Sequence, residues 1–149
     1  MDIVDLPERI TGPSAWYGPD LAASGAWLVT LDSAQSAEVE GQAQAYLAKG
    51  GDIAQMTKAD FALPKSVPLI REAVDECLHR RGFVVLRGLP PHAENIPMAA
   101  AMFYGIGTHM GNARSQNGKG HLLGHVCDLG LSTTDANVRI YQTPERQNY

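Results

Sequence analysis

Apolar residues recur with a helical period in three stretches of this chain. The clearest stretch covers residues 67–80, where positions i, i+3, i+4, i+7 and i+8 form one apolar face: Ile70, Ala73, Val74, Cys77 and Leu78. Ser66 is placed to cap this helix. A second, alanine-rich helix is predicted over residues 34–49, with Asp32 and Ser33 as its cap. A third is predicted over residues 96–104, after a capping Asn95.

Short apolar runs bounded by turn formers predict strands. Residues 83–86 are continuously apolar, which is typical of a strand buried on both faces. Residues 26–31, 121–128 and 138–143 give weaker strand predictions. Because this makes only three or four strands, the sheet is expected to need partners at its edges.

Two segments carry little regular pattern. Residues 105–120 hold five glycines among polar residues and predict a long loop, a type of segment that often carries function. Residues 1–32 are rich in turn formers and are predicted to form an extended arm whose tryptophans, Trp16 and Trp27, anchor it on the core.

Charge and composition indicate a cytoplasmic globular protein. The formal net charge is −4, and the basic residues are scattered, which argues against a nucleic-acid or anionic-membrane partner. The first residues lack the apolar stretch of a secretory signal. Cys77 and Cys127 are expected to be free, buried thiols, one in a helix core and one on a strand.

The sequence gives no strong catalytic motif. His121, His125 and Asp128 are the cluster that most resembles a metal site, but on a strand the two histidines would lie about 13 Å apart. The glycines from Gly105 to Gly111 miss the dinucleotide-binding spacing by one residue and follow a helix rather than a strand. No metal ligand, nucleotide site or catalytic residue is therefore assigned.

Several segments, in their order along the chain, nevertheless carry a family resemblance. They are Gly-Pro-Ser-Ala-Trp at 12–16, Phe-Ala-Leu-Pro at 61–64, Gly-Phe-Val-Val-Leu-Arg-Gly-Leu at 82–89, the loop at 107–120 with the strand that follows it, and Val-Arg-Ile-Tyr-Gln-Thr at 138–143. This pattern resembles the N-terminal portion of the TauD/TfdA-like (taurine dioxygenase-like) Fe(II)/2-oxoglutarate dioxygenases, and residues 82–88 are its most telling part.

The resemblance implies an α+β fold, namely an incomplete double-stranded β-helix (a jelly roll, clavaminate synthase-like) with flanking helices. One domain is expected over residues 1–149, with the arm at 1–32 and the helices and first core strands at 33–149. In the family, an iron held by two histidines and a carboxylate works with 2-oxoglutarate.

The family's iron ligands, and the arginine that pairs with 2-oxoglutarate, lie beyond the position matching Tyr149. The chain is therefore expected to be an N-terminal fragment of an oxidoreductase that binds neither Fe(II) nor 2-oxoglutarate alone and is inactive alone. The resemblance also suggests residues near the mouth of a small-molecule substrate site, although each can equally be an ordinary loop or strand-end polar residue: Thr108, His109, Gly111, Asn112, Gln142 and Asn148.

A second interpretation stays open. The chain can instead be a non-catalytic module that binds a small molecule or a protein partner, with an open sheet edge that pairs with another chain or with a second copy.

Overall fold

The computed structural model describes residues 8–124, 126–135 and 138–143. The chain divides into two compact units, Met1–Ala113 and Arg114–Tyr149, and each is described by itself. The regular elements of the first unit are α1 (Gly18–Ser24), β1 (Leu28–Thr30), α2 (Ser33–Ala48), a 3-10 turn (Ile53–Gln55), α3 (Val67–His79), β2 (Val85–Arg87) and α4 (Ile96–Met110). The described part of the second unit contains one 3-10 turn, Ile140–Gln142.

The sheet of the first unit consists of β1 and β2, paired in parallel, with Leu28 opposite Val85. Parallel neighbours need a crossover connection, and α2 and α3 lie in the connection between these strands. Gly88 follows β2 with a φ of 103°, and a Cβ at this position would lie 2.6 Å from the Leu31 carbonyl oxygen. Glycine therefore lets the chain leave β2 close beside the end of β1.

The core of the first unit lies where α2, α3 and α4 pack around the connector between α2 and α3. Phe61, from this connector, is fully buried, and its ring lies against Gly105 of α4. Leu63, from the same connector, is buried as well. The other buried apolar residues of these elements are Val39, Ala43, Ile70, Ala73, Met98, Ala101, Met102 and Ile106.

All three predicted helix starts are confirmed, whereas only two of the three predicted capping side chains are. Asp32 caps α2 in a capping box, in which its carboxylate accepts from the Gln35 amide at 2.8 Å. Asn95 caps α4 by accepting from the Met98 amide. Ser66 does precede α3, but its hydroxyl makes no capping bond to that helix and donates instead to the carboxylate of Glu38 on α2, at 2.7 Å.

The predicted burial of α3 and β2 is only partly confirmed. Ile70 and Ala73 are buried, whereas Leu78 is 69% exposed and Cys77 is exposed. The buried contacts of α3 thus lie in its N-terminal half. Val85 is 43% exposed, so the prediction that this strand is buried on both faces is wrong. The apolar run at 83–86 correctly predicts a strand, but it does not predict how much of the strand is exposed.

Both cysteines are free, as predicted, but the prediction that they are buried is wrong. Cys77 lies beyond the buried half of α3, and Cys127 is exposed as well. Cys127 is also not on a strand, because the described residues of 121–128 form bends and irregular backbone.

Three further boundary predictions need correction. α4 continues to Met110, so residues 105–110 are helical rather than the start of a loop. The arm is not extended throughout, because it contains α1. Residues 138–143 hold a 3-10 turn in place of the predicted strand.

In the described residues of 121–128 and 138–143, local side-chain bonds occur where strands were predicted. The Asp128 carboxylate accepts from the Gly130 amide at 2.7 Å, and the Gln142 side chain accepts from the Arg139 amide at 2.9 Å. Such bonds give the backbone an alternative to a sheet ladder.

As for the membrane, no helix in the described part of the chain combines the length and the apolarity that a bilayer crossing requires.

Candidate functional site

The C-terminal end of α4 carries four of the six predicted substrate-site residues. Thr108 and His109 lie in the last turn of the helix, not in a loop as the sequence suggested. Gly111 ends the helix, and its amide donates to the Gly107 carbonyl oxygen at 3.2 Å. Gly111 and Asn112 are both exposed. These last two residues therefore present their polar groups to the surroundings.

The His109 ring is engaged with the core connector. Its Nε2 lies 2.6 Å from the Phe61 carbonyl oxygen. A carbonyl oxygen only accepts, so Nε2 donates the proton of this bond. Nδ1 is buried and has no hydrogen-bond partner among the described residues. His109 thus bonds the backbone of Phe61. Gly105, one turn earlier on the same helix, makes room for the Phe61 ring.

Thr108 also has a local partner. Its hydroxyl donates to the Gly105 carbonyl oxygen at 2.7 Å, within the same helix. The polar side chains of both helical candidates thus have structural partners.

The remaining two candidates belong to the second unit. The Gln142 side-chain oxygen accepts from the Arg139 amide, and its backbone carbonyl oxygen accepts from the Leu129 amide at 3.0 Å. Gln142 therefore closes the turn that contains it. Asn148 lies outside the described residues.

The polar loop of the second unit is organised by one asparagine. The side-chain oxygen of Asn117 accepts from the amides of Lys119 and His121, at 3.0 and 3.3 Å. The Gln116 amide donates to the His121 carbonyl oxygen at 2.7 Å, which closes a tight turn. The His121 ring Nδ1 lies 3.1 Å from the Asn117 side-chain nitrogen, and His125 lies outside the described residues.

A metal centre needs several ligands close together, and the described residues do not provide this. Across 8–124, 126–135 and 138–143, no group of three or more His, Cys, Asp or Glu side chains is placed to hold a metal ion. The residues present therefore do not fit the two-histidine, one-carboxylate set expected of a non-haem iron site.

Sequence reasoning missed a set of polar contacts that tie α2 to the rest of the first unit. The Glu38 carboxylate accepts from the amides of Lys65 and Ser66, both at 2.9 Å, and from the Ser66 hydroxyl. Two residues later, Glu40 bonds the ring of His92 at 2.7 Å. His92 has a φ of 39°, which is unusual for a non-glycine residue. The partners lie far apart in sequence, so no local pattern indicated these contacts.

Electrostatic perturbations concentrate around Tyr46 on α2. Burial raises the pKa of the Tyr46 phenol, and the nearby carboxylates of Asp60 and Asp52, followed by Tyr104, add to this. The phenol donates to the Asp52 carbonyl oxygen at 2.7 Å. The pKa of Asp60 is lowered, because its carboxylate accepts from the hydroxyl and the amide of Thr57. Both side chains with shifted pKa values thus form hydrogen bonds that hold the connector between α2 and α3.

No protein-family profile matches the chain. Two curated proteins are similar to it along most of its length. The "FR-33289 synthase" of Streptomyces rubellomurinus is 26% identical over 141 residues, which cover 94% of this chain and 42% of that protein. The "Taurine hydroxylase-like protein SAT17" of Stachybotrys chartarum is 29% identical over 133 residues, which cover 89% of this chain and 34% of that protein.

The chain therefore spans less than half the length of either relative. The name of the second relative points to the taurine dioxygenase-like family that the sequence segments resemble. At these identities the likeness concerns the general class of protein.

Proposed function

We propose that this chain forms part of an oxidoreductase of the Fe(II)/2-oxoglutarate-dependent dioxygenase type that acts on a small organic molecule. The observation that carries the proposal is the likeness, along 94% and 89% of the chain, to a synthase and to a taurine hydroxylase-like protein. The resemblance of residues 82–88 to the family agrees with it. The jelly-roll architecture expected of such enzymes is part of the proposal.

A chimera tests the type of activity. The matching 141-residue region of the FR-33289 synthase is replaced by this chain, and product formation is measured with and without Fe(II) and 2-oxoglutarate. The parent and a chimera carrying the corresponding region of the taurine hydroxylase-like protein serve as controls. We expect turnover that requires both additions. A chimera that melts cooperatively yet gives no turnover, beside an active control chimera, would contradict the proposal.

We further propose that the 149-residue chain alone is inactive and binds neither Fe(II) nor 2-oxoglutarate tightly. The absence of a suitable ligand trio from the described residues supports this part. The test is 2-oxoglutarate decarboxylation by the purified chain in the presence of Fe(II). Decarboxylation that a chelator abolishes would overturn the inactivity while leaving the proposed type of enzyme in place.

The substrate-site residues belong to the same proposal. Gly111 and Asn112 are the better supported candidates, because they are exposed beside the end of α4 and their neighbours already have partners. In an active chimera, Asn112→Ala is expected to raise KM several-fold with little change in kcat, while Lys119→Ala, at another exposed position, leaves both unchanged. Equal effects of the two substitutions would argue against a substrate contact.

A second function is supported by the sheet. Within the described residues β1 and β2 pair only with each other, so each strand has one unpaired edge. Such an edge can accept a strand from another chain or a second copy. In this alternative the chain is a binding module without catalysis. A cooperative melt of a dimer that dissociates on dilution would favour it.

A further inference from the structure

Residues 8–24, here called the strap, belong to the N-terminal arm and are weakly embedded in the first unit. No residue of α1 is buried, and Tyr17, just before this helix, is 69% exposed. Hydrogen bonds of the strap are mainly local, as between the Leu21 amide and the Tyr17 carbonyl oxygen. A segment with few buried contacts opens at low free energy.

Trp16 joins the strap to a distant part of the chain. Its indole nitrogen donates to the Arg81 carbonyl oxygen at 3.1 Å, and its ring meets that of Phe83 edge to face, with the centroids 5.3 Å apart. The tryptophan itself is 48% exposed, so the contact is made by one side of the ring. Trp16 thus attaches the strap to the segment between α3 and β2.

The receiving side of this contact is braced. The Arg81 guanidinium donates to the Ala26 carbonyl oxygen at 3.0 Å and pairs with the Glu76 carboxylate at 3.2 Å. Its side chain is only 17% exposed. Four residues later, the Val85 amide donates to the Trp27 carbonyl oxygen, which ties the same segment to the start of the sheet. The segment that receives Trp16 is therefore held by contacts that do not involve the strap.

From these contacts we propose that the strap is a releasable element, fastened through Trp16, that opens reversibly while the helices of the first unit stay folded. Opening uncovers Phe83 and the approach to the start of β2. The strap thereby controls whether Phe83 and the N-terminal end of β2 are accessible from solvent. This proposal does not depend on the proposed enzymatic function.

Hydrogen–deuterium exchange followed by mass spectrometry tests this with the full 149-residue chain. In Trp16→Ala, peptides from residues 8–24 are expected to exchange about tenfold faster than in the wild type, which corresponds to about 1.4 kcal/mol. Peptides from α4 should exchange at an unchanged rate. Trp16→Phe keeps a ring but loses the indole N–H, so an intermediate rate is expected. Ile10→Ala, at another exposed apolar position of the strap, is the matched control.

Two results would overturn the proposal. If the strap peptides exchange at the wild-type rate in Trp16→Ala, Trp16 does not fasten the strap. If α4 peptides accelerate by the same factor as the strap, the strap is a cooperative part of the folded unit and does not open separately. Trp16→Phe keeps the test decisive should the alanine variant fail to fold.

Discussion

Replacing Glu38 by glutamine should destabilise the first unit, because this carboxylate ties α2 to the two residues that lead into α3. It accepts three hydrogen bonds, from the Lys65 amide, the Ser66 amide and the Ser66 hydroxyl, and Ser66 is fully buried. A glutamine keeps one acceptor oxygen and turns an NH₂ group toward at least one of these donors. With bonds to charged groups contributing about 1.5–3 kcal/mol each and partial exposure reducing this, a loss of about 2–3 kcal/mol is expected.

Urea denaturation followed by circular dichroism at 222 nm measures this loss as a lower midpoint with an unchanged slope. Glu72→Gln, at an exposed position of α3, is the matched control and should change the unfolding free energy by less than about 0.5 kcal/mol. A double-mutant cycle with Ser66→Ala should give a coupling energy above about 0.5 kcal/mol. The reasoning is refuted if Glu38→Gln and Glu72→Gln unfold at the same midpoint.

Three further outcomes are expected. Gly105→Ala should destabilise the unit by about 1–2 kcal/mol in urea melts, because a Cβ there would lie 2.5 Å from the Phe61 ring. Gly107→Ala, in open space on the same helix, should stabilise the unit by up to about 1 kcal/mol. Equal effects of the two substitutions would contradict this prediction. The raised pKa of Tyr46 means that the folded state favours the protonated phenol. The stability advantage of the wild type over Tyr46→Phe should therefore be present below about pH 10 and shrink as the pH rises through the folded-state pKa. A difference in stability that does not change with pH would contradict this prediction. Both cysteine thiols are exposed, so a thiol reagent should label two groups per native chain within minutes, and protection of either until unfolding would refute this.

The sequence was sufficient where a structural feature depends on neighbouring residues. Asp32 and Asn95 were recognisable as caps because a capping side chain bonds amides two or three positions away. The apolar periodicity of residues 67–80 likewise predicts the helix α3. Periodicity alone does not say how far along the helix the apolar face is buried. Leu78 shows this limit, since it lies on the predicted buried face yet is exposed.

Features that depend on distant residues were beyond local patterns. Gly105 was interpreted as the start of a loop, whereas the helix continues and the glycine accommodates the Phe61 ring. The same distance hid the role of His109, whose partner is the Phe61 carbonyl oxygen. Its proposed place near a substrate therefore came only from the family resemblance. Glu38 gave no signal at all, because its partners, Lys65 and Ser66, lie 27 and 28 positions later, directly before α3.

The parallel pairing of β1 and β2 has a consequence for the order of folding. A hairpin can close early around a tight turn, but these strands are separated along the chain by two helices and a connector, so their ladder requires closure of a long loop. Non-local pairings of this kind are rewarded only after that closure entropy has been overcome. We therefore expect the helices to collapse around Phe61 first and the two strands to meet late, so that amide protection at Val85 reports the arrival of the native topology.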